Sequence, residues 1–217
     1  MGGRLAAACG LAIAMSVGCS KADSSRAVTS SPSSQAAAPA EAPRANTSKV
    51  IGSAPRSTSE IPVIIVLDPK DAHEWPAESE TPVMDQVSLI FTPPLLFVRA
   101  GQPSEFRNSD DTLHNVHVTH EETREPQFNV AIPTGEIFRY TFKRDGLYHV
   151  GCDIHPAMSA EIFASTSPFV VTADAGGRYE VDDVPPGEYS MIVYANGKRT
   201  EREVTVGGGT TTIDVED

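Results

Sequence analysis

The chain has 217 residues, room for one or two domains. Hydrophobic residues make up 40% and charged residues 21%, an ordinary globular balance. A formal net charge of -12 and a pI of about 4.9 argue against nucleic acid, whose binders present a basic face, and suit an electrostatically steered meeting with a basic partner.

The first residues read as a targeting segment. "MGGR" carries one positive charge, and "LAAACGLAIAMSVG" is apolar but too short to span a bilayer comfortably. Residues 1–18 are therefore expected to be a signal peptide. "SVGC" resembles a bacterial lipobox, in which a small residue, here Gly18, precedes a cysteine, here Cys19, that is lipidated and becomes the new N-terminus. Ser16 departs from the usual leucine three positions earlier. The expectation is an exported protein, periplasmic or at the cell surface, held to a membrane through lipid on Cys19. A plain secretory signal is the alternative, and it exports the chain as well. Residues 19–59 are rich in Ser, Ala, Pro and Thr with no apolar period, which predicts a disordered tether.

From Ile61 onward short β-like runs alternate with Gly, Pro, Asn and Asp. "IPVIIVLD", "VSLIF", "LLFV", "SEFRN", "HNVHVTH", "EIFRYTF", "GLYHVGC" and "AEIFA" are predicted strands, and no helix of three turns is evident. In "EIFRYTF", Ile137 faces away from Phe138, Tyr140 and Phe142, a half-buried alternation. Many short strands at close spacing predict a sandwich or barrel over residues 60–167. Residues 168–217 hold about five more strands separated by the turns "DAGG", "PPG" and "ANG". Fifty residues are marginal for a two-sheet core, so this second small β-sandwich is expected to borrow a strand from residues 61–67, with two domains in series as the simpler alternative. The fold class is all-β.

Cysteine usage then raises a chemical question. Of three cysteines, Cys9 lies in the removed segment and Cys19 at the anchor. Cys152 is left alone in an oxidising compartment, where an unpaired thiol is either buried and inert or protected, as a metal would protect it. In "GLYHVGCDIHPAM", Tyr148, Val150 and Cys152 share one strand face, and His155 and Met158 follow on the next loop. Thiolate, imidazole and thioether form a soft donor set that suits copper better than magnesium or calcium. A trigonal His2Cys site with a long axial Met needs one more histidine, and "SDDTLHNVHV" offers His114.

"F-x-N-S-D…L-H-N-V" followed by "G-x-Y-x-x-x-C-x-x-H-P-x-M" resembles the type 1 (blue) copper cupredoxins, with the short amicyanin spacing rather than the longer plastocyanin one. The resemblance covers roughly residues 79–164. It implies a Greek-key cupredoxin sandwich. It implies His114, Cys152 and His155 as strong equatorial copper ligands and Met158 as the weak axial one. Asn115 would tie the two ligand loops together, and His155, beside Pro156 and Ala157, would lie at an apolar patch where partners dock. Gly151 departs from relatives, which often carry a bulky residue there. The C-terminal segment resembles a carboxypeptidase-regulatory-like β-sandwich.

These readings converge on a mononuclear blue copper protein that carries electrons by outer-sphere transfer between redox proteins, with one copper per chain and no enzymatic activity. A copper-handling role in storage, delivery or sensing uses the same ligands and is the alternative. An adhesive module with an empty site is the weakest reading, because all four ligands are present. His117 and His120 could form a second metal site, but solvent-facing polar roles are the simpler expectation. His149 and His73 read as surface and loop residues, Met84 and Met191 as core or loop filler, and Glu121, Glu122 and Glu125 as a solvated acidic run.

Overall fold

The computed structural model describes residues 47–71 and 75–216. The signal segment, Cys19, most of the expected tether and His73 lie outside the described residues. Among the described residues there are sixteen strands and no helix.

Two strands come first, β1 (Ser48–Ser53) and β2 (Ile64–Pro69). Nine follow: β3 (Val83–Val87), β4 (Ile90–Thr92), β5 (Leu95–Arg99), β6 (Pro103–Asn108), β7 (His114–His120), β8 (Pro126–Ile132), β9 (Ile137–Thr141), β10 (Gly146–Gly151) and β11 (Ser159–Ser165). Five close the chain: β12 (Val170–Thr172), β13 (Arg178–Val184), β14 (Gly187–Ala195), β15 (Lys198–Val206) and β16 (Thr210–Thr212).

Strands β3 to β11 build one sandwich. A sheet in the order β4-β3-β6-β9 faces one in the order β5-β11-β10-β7-β8. Alternation along each strand fills the space between them, with Met84, Phe106, Phe142, Tyr148, Val150 and Ile162 fully buried. On β9, Ile137 points to solvent while Phe138 and Tyr140 pack against the core. The run "VSLIF" is not one strand. Ser88 and Leu89 have φ of 57° and 59° and turn the chain between β3 and β4. Neither residue favours that region, and no turn signal marks it in the sequence. The turn is held from outside, because the carboxylate of Asp110 accepts both backbone N–H groups, at 2.5 and 2.9 Å.

The other sandwich pairs a sheet in the order β13-β1-β16 with one in the order β12-β2-β14-β15. Its core contains Val50, Leu67, Phe169, Tyr179, Met191 and Val206. The chain lays down β1 and β2 here, leaves to build the sandwich of β3 to β11, and returns with β12. Two expected boundaries are corrected by this course. The tether does not reach 59, because Ser48–Ser53 is the middle strand of a sheet. Its signal is faint in "SKVIGS", since Ser48 is buried by donating to the carbonyl of Gly207 rather than by being apolar. Gly52 is required there, because a Cβ would collide with the carbonyl of Ile213 on the chain beyond β16. Nor does the first sandwich begin at 60: β2 lies between β12 and β14, and the strands of that sandwich start at Val83.

The two sandwiches meet face to face. Leu95, Leu147 and Phe163 from the outer face of the five-stranded sheet pack against Ile64, Val66, Val170, Ile192 and Tyr194. Ser167 Oγ also donates to the carbonyl of Leu67 at 2.6 Å across the joint.

Candidate metal centre

The site forms at one end of the first sandwich, where β6 hands over to β7 and β10 to β11. Asn108, the last residue of β6, shapes the first loop. Its side-chain amide donates to the carbonyls of Thr112 and Ile132 at 2.8 and 2.7 Å, and its Oδ1 accepts from the N–H of Asp110 at 3.0 Å. That loop delivers His114, fully buried, as the first residue of β7.

The second loop starts from alternation along β10. Tyr148 and Val150 face the core, so the next residue of that row, Cys152, turns its sulfur inward and is buried. The loop is closed by backbone bonds from Met158 N to His155 O at 2.9 Å and from Cys152 N to Met158 O at 3.3 Å. These bring Met158 into the same buried apolar cluster as Cys152, while His155 stays partly exposed.

Three donor atoms converge. His114 Nδ1 and His155 Nδ1 are 2.9 Å apart, and Cys152 Sγ lies 3.9 and 3.8 Å from them. Such spacing lets one ion sit about 2 Å from each nitrogen. A buried thiol, two imidazoles sharing their Nδ1 edges and a buried thioether are a soft set with no carboxylate among them, and they fit one type 1 copper.

Asn115 joins the loops from behind. Its Oδ1 accepts from the N–H groups of Asp153 and Ile154 at 2.7 and 3.2 Å and from the thiol of Cys152 at 3.3 Å. Its amide donates to Asn129 and Asp153. Two carboxylates escaped the sequence reading. Asp110 Oδ2 lies 2.8 Å from His114 Nε2, the nitrogen turned away from the other donors. It thereby fixes which ring nitrogen is free for a metal, as carboxylates behind metal-binding histidines do. The N–H of Leu89 does most to hold the Asp110 carboxyl below its ordinary value, with His114 and Ser88 adding to it. Asp153 binds Asn129, His117 and Asn115, and the Asn129 amide, then His117, draws its carboxyl down as well. The signal that could have found Asp110 is a carboxylate four residues ahead of His114 on the same short loop.

The remaining histidines are dispersed. His117 is half-exposed and pairs with Asp153 at 3.1 Å, and His149 pairs with Glu161 at 3.1 Å. His120 was expected to face solvent. Instead it is buried, packed edge-on to Tyr148, with its Nδ1 accepting the N–H of Thr123 at 3.2 Å. It lies on the inward row of β7 with His114, six residues away, so His117 and His120 do not converge. Met84 and Met191 fill the two cores. Around His155 the surface is apolar: Leu113 and Ile154 are 47% and 46% exposed, and Pro156 and Ala157 are exposed beside them.

Residues 78–164 match the sequence model of the copper binding proteins of the plastocyanin/azurin family. Solved structures similar to the chain include amicyanin from Paracoccus versutus, at 18% identity over 41% of this chain and 85% of that one, with a TM-score of 0.36. A purple cupredoxin from Nitrosopumilus maritimus is 20% identical over 38% of this chain and 98% of its own, with a TM-score of 0.34. A copper-containing nitrite reductase from Thermus scotoductus is 28% identical over 45% of this chain but 25% of its own, with a TM-score of 0.37. No curated protein matches the chain. The segment that matches the copper-binding family model is thus the one that carries His114, Cys152, His155 and Met158, and the donors it brings together fit one type 1 copper.

Proposed function

We propose that the protein is an exported, mononuclear blue copper carrier that passes electrons between redox proteins and is not itself an enzyme. The observation that carries this reading is the convergence of Cys152 Sγ and two histidine Nδ1 atoms, backed by Asn115 and Asp110. Copper bound by these donors would supply a one-electron couple. The chain's part is to keep the donors still. His114 and Cys152 are buried, Asn115 ties their two loops together, and the loop bonds of residues 152–158 fix Cys152, His155 and Met158, so little has to move when charge changes.

His155 is the donor nearest solvent, and Leu113, Ile154, Pro156 and Ala157 surround it with a small apolar surface suited to a weak, transient complex. We assign docking to that surface and, given the net charge, expect a basic partner. Membrane attachment through Cys19 is part of the same proposal, as is the reading of the second sandwich as a carboxypeptidase-regulatory-like module.

Copper titration followed by visible absorption tests the reading. One equivalent per chain should bring up an intense thiolate-to-copper band that saturates there and is bleached by ascorbate. A chain that binds copper without that band, or that yields its Cu(I) at once to a chelator and exchanges electrons with no protein, would instead belong to copper handling.

A further inference from the structure

Two histidines that take no part in the buried centre come from different strands but share one surface. Along β7 the inward row is His114, Val116, Val118, His120, which turns His117 to the outer face of the five-stranded sheet. Along β10 the inward row is Tyr148, Val150, Cys152, which turns His149 to the same face. The register sets the two side by side. His117 is opposite Gly151 and His149 is opposite Thr119, so they are diagonal neighbours across the β7–β10 pair. Such neighbours stand roughly 7 to 8 Å apart, within reach of long side chains.

Gly151 leaves the space between them open. A Cβ on it would lie 3.7 Å from His149 Nε2. The His149 ring therefore leans over Gly151, toward the place that faces His117.

Both rings are held in the same way. Asp153 Oδ1 lies 3.1 Å from His117 Nδ1, and Glu161 Oε1 lies 3.1 Å from His149 Nδ1. Each carboxylate accepts the Nδ1 proton and leaves Nε2 with its lone pair, the tautomer that a metal needs. Asp153 is fixed in turn by the amides of Asn129 and Asn115 at 2.7 and 3.2 Å. Glu161 is fixed by its place on β11 opposite His149, where its side chain is 17% exposed. The imidazoles themselves stay open to solvent, at 38% and 48% exposed. The charges that act on the two carboxylates are the two histidines and Glu121, which is paired with Arg124. As exposed ion pairs these contacts add little to stability. As two carboxylate-backed imidazoles side by side they are a donor pair.

We propose that His117 Nε2 and His149 Nε2 form a second metal site, for one divalent transition ion whose remaining positions are filled by water. Metal–nitrogen bonds of about 2 Å need the two atoms about 3 Å apart, and rotation of the rings across the diagonal supplies that. Imidazole suits Cu(II), Ni(II) and Zn(II), and of these Cu(II) is held most tightly. The site shares no donor with the buried centre and has no thiolate, so copper bound there lacks the intense visible band. The inference stands independently of the copper reading.

The test uses the full chain loaded with one equivalent of Cu(I), titrated with Zn(II) and followed by NMR of the histidine rings. Both ions are closed-shell, so the spectra stay sharp. Saturation at one Zn(II) per chain is expected, with the largest shifts at His117 and His149. His117→Gln and His149→Gln should each weaken binding by at least about tenfold, no less than the loss of an outer partner costs a metal site. A second equivalent of Cu(II), added to the oxidised copper-loaded chain, should give the paramagnetic resonance signal of tetragonal nitrogen and oxygen ligation without raising the visible band. Zn(II) that fails to saturate, that shifts only one of the two rings, or that binds either variant at full affinity overturns the proposal. The ring shifts of the parent chain decide the matter if a variant fails to fold. His114 and His155 report on the buried centre in the same spectra, so a failure of the copper reading appears at different residues.

Discussion

Each sandwich opens a central strand with the same three-residue device. In the first it is Gly146-Leu147-Tyr148 on β10, and the Tyr148 hydroxyl donates to the carbonyl of Arg144 at 2.6 Å. In the second it is Gly187-Glu188-Tyr189 on β14, and the Tyr189 hydroxyl donates to the carbonyl of Pro185 at 2.7 Å. Burial pushes both phenols up, Tyr148 to about 12. From each tyrosine an inward row runs along the strand: Tyr148, Val150, Cys152 in one and Tyr189, Met191, Val193 in the other. Cys152 therefore occupies the place that Val193 holds in the second sandwich. Val193 continues in the sheet, paired with Thr200 and Ile65. Beyond Gly151 the chain leaves the sheet, and the space at the strand's end is filled by His114, Asn115 and Asn108. A metal centre is thus built on an ordinary sandwich strand by changing its last inward residue. Two loops then satisfy the polar groups that the change buries.

Replacing Cys152 with its counterpart tests that comparison most severely. Cys152→Val should leave the sandwich folded, because a buried residue of similar size is kept on an apolar row. The visible copper band should vanish completely, since Cys152 is the sole cysteine of the described residues. Absorption of the copper-loaded variant, read beside its thermal melt, checks both halves. A folded valine variant that keeps the band would remove Cys152 from the site.

The next largest effect concerns Asp110, which has no counterpart in the second sandwich. Asp110→Asn keeps the size of the side chain but loses the charge that faces His114 Nε2 and the Ser88–Leu89 turn. Loss of such a partner typically costs about 10- to 100-fold in metal affinity. Competition against a copper chelator measures it, and an unchanged affinity would show that the carboxylate serves the turn alone.

Much of this was legible in the sequence, and the exceptions share a cause. Cys152, His155 and Met158 lie within one loop, so their spacing carries the signal, and His114 stands out in "LHNV". The inward row of β10 follows from alternation alone. What the sequence hid were partnerships formed across the fold. Ser48–Ser53 looks like linker because its place is set by β13 and β16, more than a hundred residues later. The Ser88–Leu89 turn has no turn residues because Asp110 supplies its hydrogen bonds. His120 read as a surface residue because its partner, the N–H of Thr123, is a backbone group, invisible to residue type.

A smaller effect should be the same on both sides. Tyr148→Phe and Tyr189→Phe each remove one hydrogen bond to a backbone carbonyl and should each cost about 1 kcal/mol. Denaturant melts give the two values. If the corners are equivalent the losses will match, and neither substitution should alter the copper band. A loss confined to Tyr148 would mean that the second corner is only a likeness of shape.

The smallest expected effect is one of pH, and it separates the sandwiches again. Glu105, on the outer face of β6 and covered by its partners, is set between Arg107 at 2.6 Å and Arg139 at 2.7 Å. Arg107 first, and then Arg139, hold its carboxyl below the ordinary value of 4.5. The second sandwich has Asp174, more exposed, whose carboxyl is lowered chiefly by the N–H of Arg178. A carboxyl that is easier to ionise when folded stabilises the fold only while it is ionised. The contribution is therefore present above the unfolded value and is lost as pH falls through the lower, folded one. Glu105→Gln should accordingly be less stable than the parent at neutral pH, and the gap should close as pH falls below about 4. Asp174→Asn should show the same sign with a smaller gap, because water screens an exposed pair. Thermal melts of the three proteins from pH 7 down to pH 3 resolve this. A Glu105→Gln gap that persists unchanged at low pH would mean that the guanidiniums need two acceptor oxygens at that position rather than its charge.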